Sequence, residues 1–252
     1  MTEAALAPPP ATDESALEGR IEPASGLFLP PHVHLCVAQN HCVFLDLKRD
    51  KYSAVALEHA APETALRDAL ARHRDALLGA GVLQTSAEGG RVALPDRHLG
   101  IEGHVRGVQD ARAFGLAGDE ARDLSITPWE IAVFFHACWR ASRDLATKHV
   151  ETIVERTRVD KARASDGARD IAKIARLTRV FARLRPWYPR NYLCLYDSLA
   201  LIKFLRAFDI HPTWIFGVQA QPFGAHCWVQ QDGLLLNEGS EYAGQFTHIM
   251  SV

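Results

Sequence analysis

The chain has 252 residues, 48% of them hydrophobic and 23% charged, enough apolar material for a large core or two smaller ones. Its formal charge of −2 argues against wholesale electrostatic binding of nucleic acid. No apolar run approaches a membrane span and the acidic start lacks the basic and apolar regions of a secretion signal, so the sequence reads as cytoplasmic, with no membrane partner.

Residues 1–26 carry three consecutive prolines and five acids against one arginine. With no periodicity, they read as a disordered leader segment. From His32 the pattern changes to short β-rich runs, "VHLCVAQ", "HCVFLDLK" and "KYSAVAL", separated by turns, which predict a small antiparallel sheet. "PETALRDALARHRDALLGAG" follows with Leu66, Leu70, Leu77 and Leu78 at helical spacing, so one helix is expected on that sheet, with "VLQT" as a possible wing strand. A first unit is thus expected over 27–86. Residues 87–124 are Gly-rich with weak periodicity and read as a linker.

A second unit is expected over 125–252. Thr127, Pro128 and Glu130 form a helix-start signature of N-cap, first-position proline and capping box. Between 140 and 190 there are 14 Lys/Arg against 6 Asp/Glu, a net of +8, read as a basic helical face. After Pro186 and Pro189 an apolar helix resumes near Cys194 and runs to about Phe208, apolar nearly all round and therefore central. Three strand-like runs follow, "TWIFGVQA", "HCWVQQ" and "LLLNE". Helices first and sheet afterwards make the fold class α+β.

Five cysteines without a CxxC pair exclude a disulfide framework or a structural zinc site, and no metal or cofactor is expected. Cys194 is the candidate nucleophile, since a helix N-terminus stabilises a thiolate, and Arg185 and Arg190 nearby push the same way. His226 on the following sheet can act as its base. Cys227, its neighbour, should point to the opposite face and be a core-facing bystander. Ser198, one turn after Cys194, more plausibly hydrogen-bonds a carbonyl inside the helix than serves as nucleophile. The third member turns on hairpin register: a two-residue Asp232-Gly233 turn puts Asn237 on the face of His226, whereas a three-residue loop opposes Glu238 to it.

The stretches "CLYDSLAL" and "PFGAHCWV" resemble motifs of the leader-peptidase B protein of lasso-peptide biosynthesis, a transglutaminase-like cysteine peptidase, over roughly residues 125–250. The resemblance implies Cys194 as nucleophile, His226 as general base and Glu238 as third member, where the family typically has Asp; Asn237 is the alternative, and Asn191 a candidate oxyanion donor beside the Cys194 N–H. The N-terminal part is similar to a winged-helix-like precursor-recognition domain. That similarity implies a leader peptide adding as a strand at Lys51, Tyr52, Ser53, Ala54 and Val55, with Arg67, Leu70 and Arg74 of the adjoining helix gripping it. Implied partners are the lasso precursor and an ATP-dependent, asparagine-synthetase-like lasso cyclase. Two rival readings are amide transfer by the same triad and DNA binding by the N-terminal module.

Overall fold

A computed structural model describes residues 26–58, 62–92, 109–111, 124–163 and 170–252. The expected disordered segment, apart from Gly26, and much of the expected linker lie outside the described residues.

Strands β1 (Phe28–Leu29), β2 (Val33–Ala38), β3 (His41–Asp46) and β4 (Lys51–Ala56) are followed by helices α1 (Pro62–Arg72) and α2 (Arg74–Gly79). β2, β3 and β4 form an antiparallel meander in that order, which leaves β4 at one edge among the described residues. Asn40 and Gln39 adopt positive φ in the tight β2–β3 turn, the conformation such a hairpin needs. The single helix expected after the meander is two, interrupted at His73. "VLQT" contributes only a bridge, Gln84 to Phe28.

Both faces of the meander are covered. Val33 and Leu35 of β2 and Cys42 and Phe44 of β3 meet Leu66, Leu70 and Leu77 of the two helices. The alternate residues, Cys36, Ala38, Val43 and Leu45, enter the same apolar cluster as Tyr196, Leu201, Cys227 and Met250. Alternation sends successive side chains to opposite faces, and apolar residues at both parities give β2 and β3 a buried layer on each side.

The expected linker 87–124 is more than a connection where it is described. Its strand β5 (Arg91–Val92) pairs with β1, and β6 (Gln109–Asp110) runs parallel to the strand Leu234–Leu235 at the edge of a second sheet, formed by the C-terminal half.

The second half begins with α3 (Pro128–Thr147), whose capping box between Thr127 and Glu130 is complete. α4 (Val150–Ala162) and α5 (Ile171–Leu184) follow, then a 3-10 turn (Arg185–Trp187) and α6 (Cys194–Arg206). α6 is central: Leu199, Ala200, Leu201, Phe204 and Leu205 are all at most 1% exposed. It lies between the helices and an antiparallel sheet of β7 (Thr213–Gln219), β8 (Gly224–Gln231), β9 (Leu234–Leu235) and β10 (Thr247–Ser251), in the order β10-β7-β8-β9-β6. The short α7 (Ser240–Ala243) joins β9 to β10, and its Ala243 packs with Ile215, Trp228, Leu235 and Phe246 on the sheet's other face. The basic excess of residues 140–190 is spread over α3, α4 and α5 and partly neutralised within the fold, by Lys148 with Asp144, Arg158 with Glu155 and Arg176 with Glu130.

Candidate active site

Cys194 is the first residue of α6, half-buried at the edge of the core. The loop that delivers it is organised by Arg185, only 3% exposed. Its guanidinium donates to Asp197 Oδ1, to the Tyr188 carbonyl at 3.2 Å, and to the carbonyls of Arg190 and Asn191 at 3.0 and 3.1 Å. The other oxygen of Asp197 accepts from Leu193 N–H at 2.8 Å, closing the start of the helix. Five donors in a fixed fork make arginine the residue for such a hub.

His226 lies on β8 opposite Gly217 of β7. Its ring is held by Tyr242 and Phe246, with centroids at 5.0 and 5.1 Å, and by Trp228 at 6.0 Å. Gly217 makes room for this arrangement: a Cβ there would stand 2.8 Å from both Trp228 Cζ3 and Phe246 Cβ. Glu238 Oε2 is 2.8 Å from His226 Nε2, and Oε1 accepts from Gly239 N–H at 2.9 Å. With Nε2 engaged by the carboxylate, Nδ1 is the ring nitrogen left for Cys194.

The Cys194 thiol is held down to about 4. Hydrogen bonding from the Cys227 thiol is the largest influence; His226 and the Cys227 backbone N–H act in the same direction and together they overcome burial. Burial lowers the His226 pKa, but the hydrogen bond and charge of Cys194 and the Glu238 carboxylate outweigh it, for a net rise. Both shifts, the thiol lowered and the imidazole raised, favour the thiolate–imidazolium form of the pair.

Several expectations change here. Cys227 is buried among core residues as alternation requires, and its thiol donates to Ser198 Oγ at 3.9 Å, while its presence beside Cys194 helps to lower that thiol's pKa. Arg185 adds little to the thiolate: Asp197 neutralises it and the rings of Tyr192 and Tyr196 cover it, 4.3 and 5.3 Å from its guanidinium carbon. Asn191 is exposed, and its hydrogen bond to the fold is through its backbone carbonyl. Ser198 is fully buried and donates to the Cys227 carbonyl at 3.2 Å.

The hairpin has the two-residue turn: Gln231 pairs with Leu234, and Asp232 and Gly233 both have positive φ, at 48° and 79°. Even so, the residue at His226 is Glu238 and not Asn237. The ladder ends after Leu236, whose N–H reaches the Val229 carbonyl at 2.8 Å. Asn237 then turns inward: its Oδ1 accepts from Val229 N–H at 2.8 Å and its Nδ2 donates to Ser198 Oγ at 2.9 Å. A side chain substitutes for the next rung, so strand register no longer governs which residue meets His226.

In the N-terminal sheet, Lys51 is exposed at the start of the β4 edge, with Ser53, Ala54 and Val55 along it and Tyr52 half-buried. Arg67 and Arg74 are exposed, but Leu70 is 5% exposed in the core between helix and sheet and so is closed to a peptide. A groove of about 1010 Å³, lined by Trp129, His136, Arg140, Arg156, Lys203 and His211 among others, lies near the C-terminal end of α6. Cys194 is at the helix's other end, about 18 Å away at the α-helical rise. That groove has no cysteine in its lining. Among the described residues no group of three or more His, Cys, Asp or Glu is placed to hold a metal ion, and no helix is long and apolar enough to cross a membrane.

A cysteine at the start of a buried helix, with a histidine and carboxylate on the neighbouring antiparallel sheet, is an arrangement compatible with thiol acyl chemistry. Residues 137–251 match the transglutaminase-like superfamily and form a transglutaminase-like domain, which is compatible with cysteine-peptidase or acyl-transfer activity. No curated protein and no solved structure matches the chain.

Proposed function

We propose that the chain is a leader peptidase of lasso-peptide maturation, in which a winged-helix-like N-terminal module captures the leader of a ribosomal precursor and the transglutaminase-like domain cuts leader from core. The observation that carries the reading is the set Cys194, His226 and Glu238, with the imidazole bonded to Glu238 at 2.8 Å and the thiol depressed to about 4. The β4 edge, unpaired among the described residues, supports the capture role, since unpaired backbone groups accept an extended chain.

The Cys194 thiolate attacks the scissile carbonyl, and the developing oxyanion is met by the Cys194 N–H, one of the unpaired donors of the first helical turn. The imidazolium of His226 gives its proton to the leaving amine and departs as neutral base. It then takes a proton from water as that water attacks the thioester, and the second product leaves with Cys194 restored to the thiolate. Glu238 holds the ring and favours its charged form. The free core would pass to an ATP-dependent, asparagine-synthetase-like lasso cyclase, and the free thiols of all five cysteines suit a cytoplasmic setting.

Incubating the co-encoded precursor with wild type and Cys194→Ala, read by mass spectrometry, tests this. Free leader from wild type alone supports it. An amine adduct in place of free leader, when an amine is added, would turn the reading to acyl transfer, which the superfamily also accommodates.

A further inference from the structure

Tyr52 belongs at once to the open edge and to the catalytic rim. In the β3–β4 ladder Leu57 N–H donates to the Asn40 carbonyl at 2.8 Å. Alternation along an antiparallel pair then turns the backbone of Val55, Ser53 and Lys51 toward β3 and that of Ala56, Ala54 and Tyr52 outward. The side chain of Tyr52 follows the parity of its partner Leu45, toward the transglutaminase-like domain. There its ring lies 5.6 Å from that of Phe223, three residues before His226 on the turn into β8.

That turn is fixed to the N-terminal sheet. Gln39 Oε1 accepts from Ala220 N–H at 2.9 Å and Gln221 N–H at 2.7 Å, so Tyr52 is held in register with β8. Its phenol lies deep enough to be pushed above its ordinary range by burial, with the charges of Cys227, Asp50 and Cys194 adding to the effect. Tyr52 makes no side-chain hydrogen bond to any described residue. A half-buried hydroxyl that has no partner among the described residues and stands beside Phe223, at the turn that leads to His226, is free to donate to a bound substrate. The surrounding rim is apolar and open: Leu193, Phe223 and Tyr242 are 55%, 57% and 47% exposed.

The geometry points to Tyr52 as a substrate-contacting residue of the cleft, its hydroxyl donating to a main-chain carbonyl of the bound peptide beside the scissile bond, while its ring and Phe223 wall a subsite for an apolar side chain. The edge strand that would receive the leader would thereby also help to position the bond to be cut. The inference rests on the peptidase reading.

Its test uses the full chain as wild type, Tyr52→Phe and Tyr52→Ala. Three readouts are taken: kcat/KM for the precursor, Kd for a fluorescein-labelled leader peptide, and the rate of Cys194 alkylation by iodoacetamide. Tyr52→Phe is expected to lower kcat/KM about tenfold, the loss of one hydrogen bond, and to leave leader Kd and alkylation unchanged. Tyr52→Ala is expected to lower kcat/KM further. Wild-type kcat/KM in Tyr52→Phe overturns the contact, and a parallel change in alkylation reassigns Tyr52 to support of the site. If wild type leaves the precursor uncut, the peptidase reading falls, and inactivation by an acetyl-tetrapeptide chloromethyl ketone judges the contact instead. A slower rate in Tyr52→Phe upholds it; an equal rate overturns it.

Discussion

Replacing Cys227 by alanine separates the nucleophile from the group that prepares it. The Cys227 thiol is the largest influence holding Cys194 near 4, and the variant removes that donor while keeping the Cys227 N–H and His226. A hydrogen bond to a charged group contributes about 1.5–3 kcal/mol, and a thiol, as a weak donor, belongs at the low end. At about 1.4 kcal/mol per pH unit, the Cys194 pKa should rise by about 1 unit. The assay is the pH dependence of iodoacetamide alkylation, with the Cys194 peptide followed by mass spectrometry. Cleavage at neutral pH should persist, because a thiol near 5 is still ionised there. An unmoved midpoint would show that Cys227 donates nothing. Loss of cleavage in Cys227→Ala with retention in Cys194→Ala would place the nucleophile at Cys227 and overturn the assignment to Cys194.

Wild-type kcat/KM should be bell-shaped: it rises with pH as Cys194 ionises near 4 and falls as the imidazolium is lost above the ordinary histidine value of 6.5, the directions set by one lowered and one raised pKa. A rising limb near the ordinary thiol value of 9.0 would contradict the ion pair. Glu238→Gln should lower kcat on the order of 100-fold, with the protein still folded by circular dichroism, since the imidazolium loses its carboxylate; Asn237→Ala should instead lower thermal stability by uncoupling Val229 and Ser198. Arg185→Met strands Asp197 and the three carbonyls of Tyr188, Arg190 and Asn191 and should cost about 3–5 kcal/mol in chemical denaturation. Gly217→Ala should cost about 1–3 kcal/mol through Trp228 and Phe246 and slow cleavage by shifting His226.

What the sequence made legible and what it concealed divide along the reach of local rules. The capping box at Thr127, the all-round apolar helix from Cys194 and the two-residue Asp232-Gly233 turn are each written within a few neighbouring residues, and each forms as local chemistry dictates. The meander was legible as strands but not in its burial on both faces, although the apolar residues at both parities in "VHLCVA" and "HCVFLD" carried that signal. Alternation places Cys227 on the core face, where it is buried, but alternation says nothing of its electrostatic influence on Cys194 at the end of a neighbouring helix. Glu238, the residue the resemblance implies, is the one that meets His226, and hairpin register, which points instead to Asn237, misleads for a sharper reason. Register extrapolates only while backbone pairs with backbone, and at residue 237 a side-chain amide takes the rung by satisfying Val229 N–H and Ser198 Oγ together. Asn237 is thus the residue that releases Glu238 from the strand and lets it turn to His226. The carboxylate proposed to orient His226 owes its position to a structural amide one residue earlier, so exchanging the two side chains, Asn237→Glu with Glu238→Asn, should abolish cleavage and destabilise the hairpin, whereas a pure register mechanism would leave the exchanged enzyme partly active.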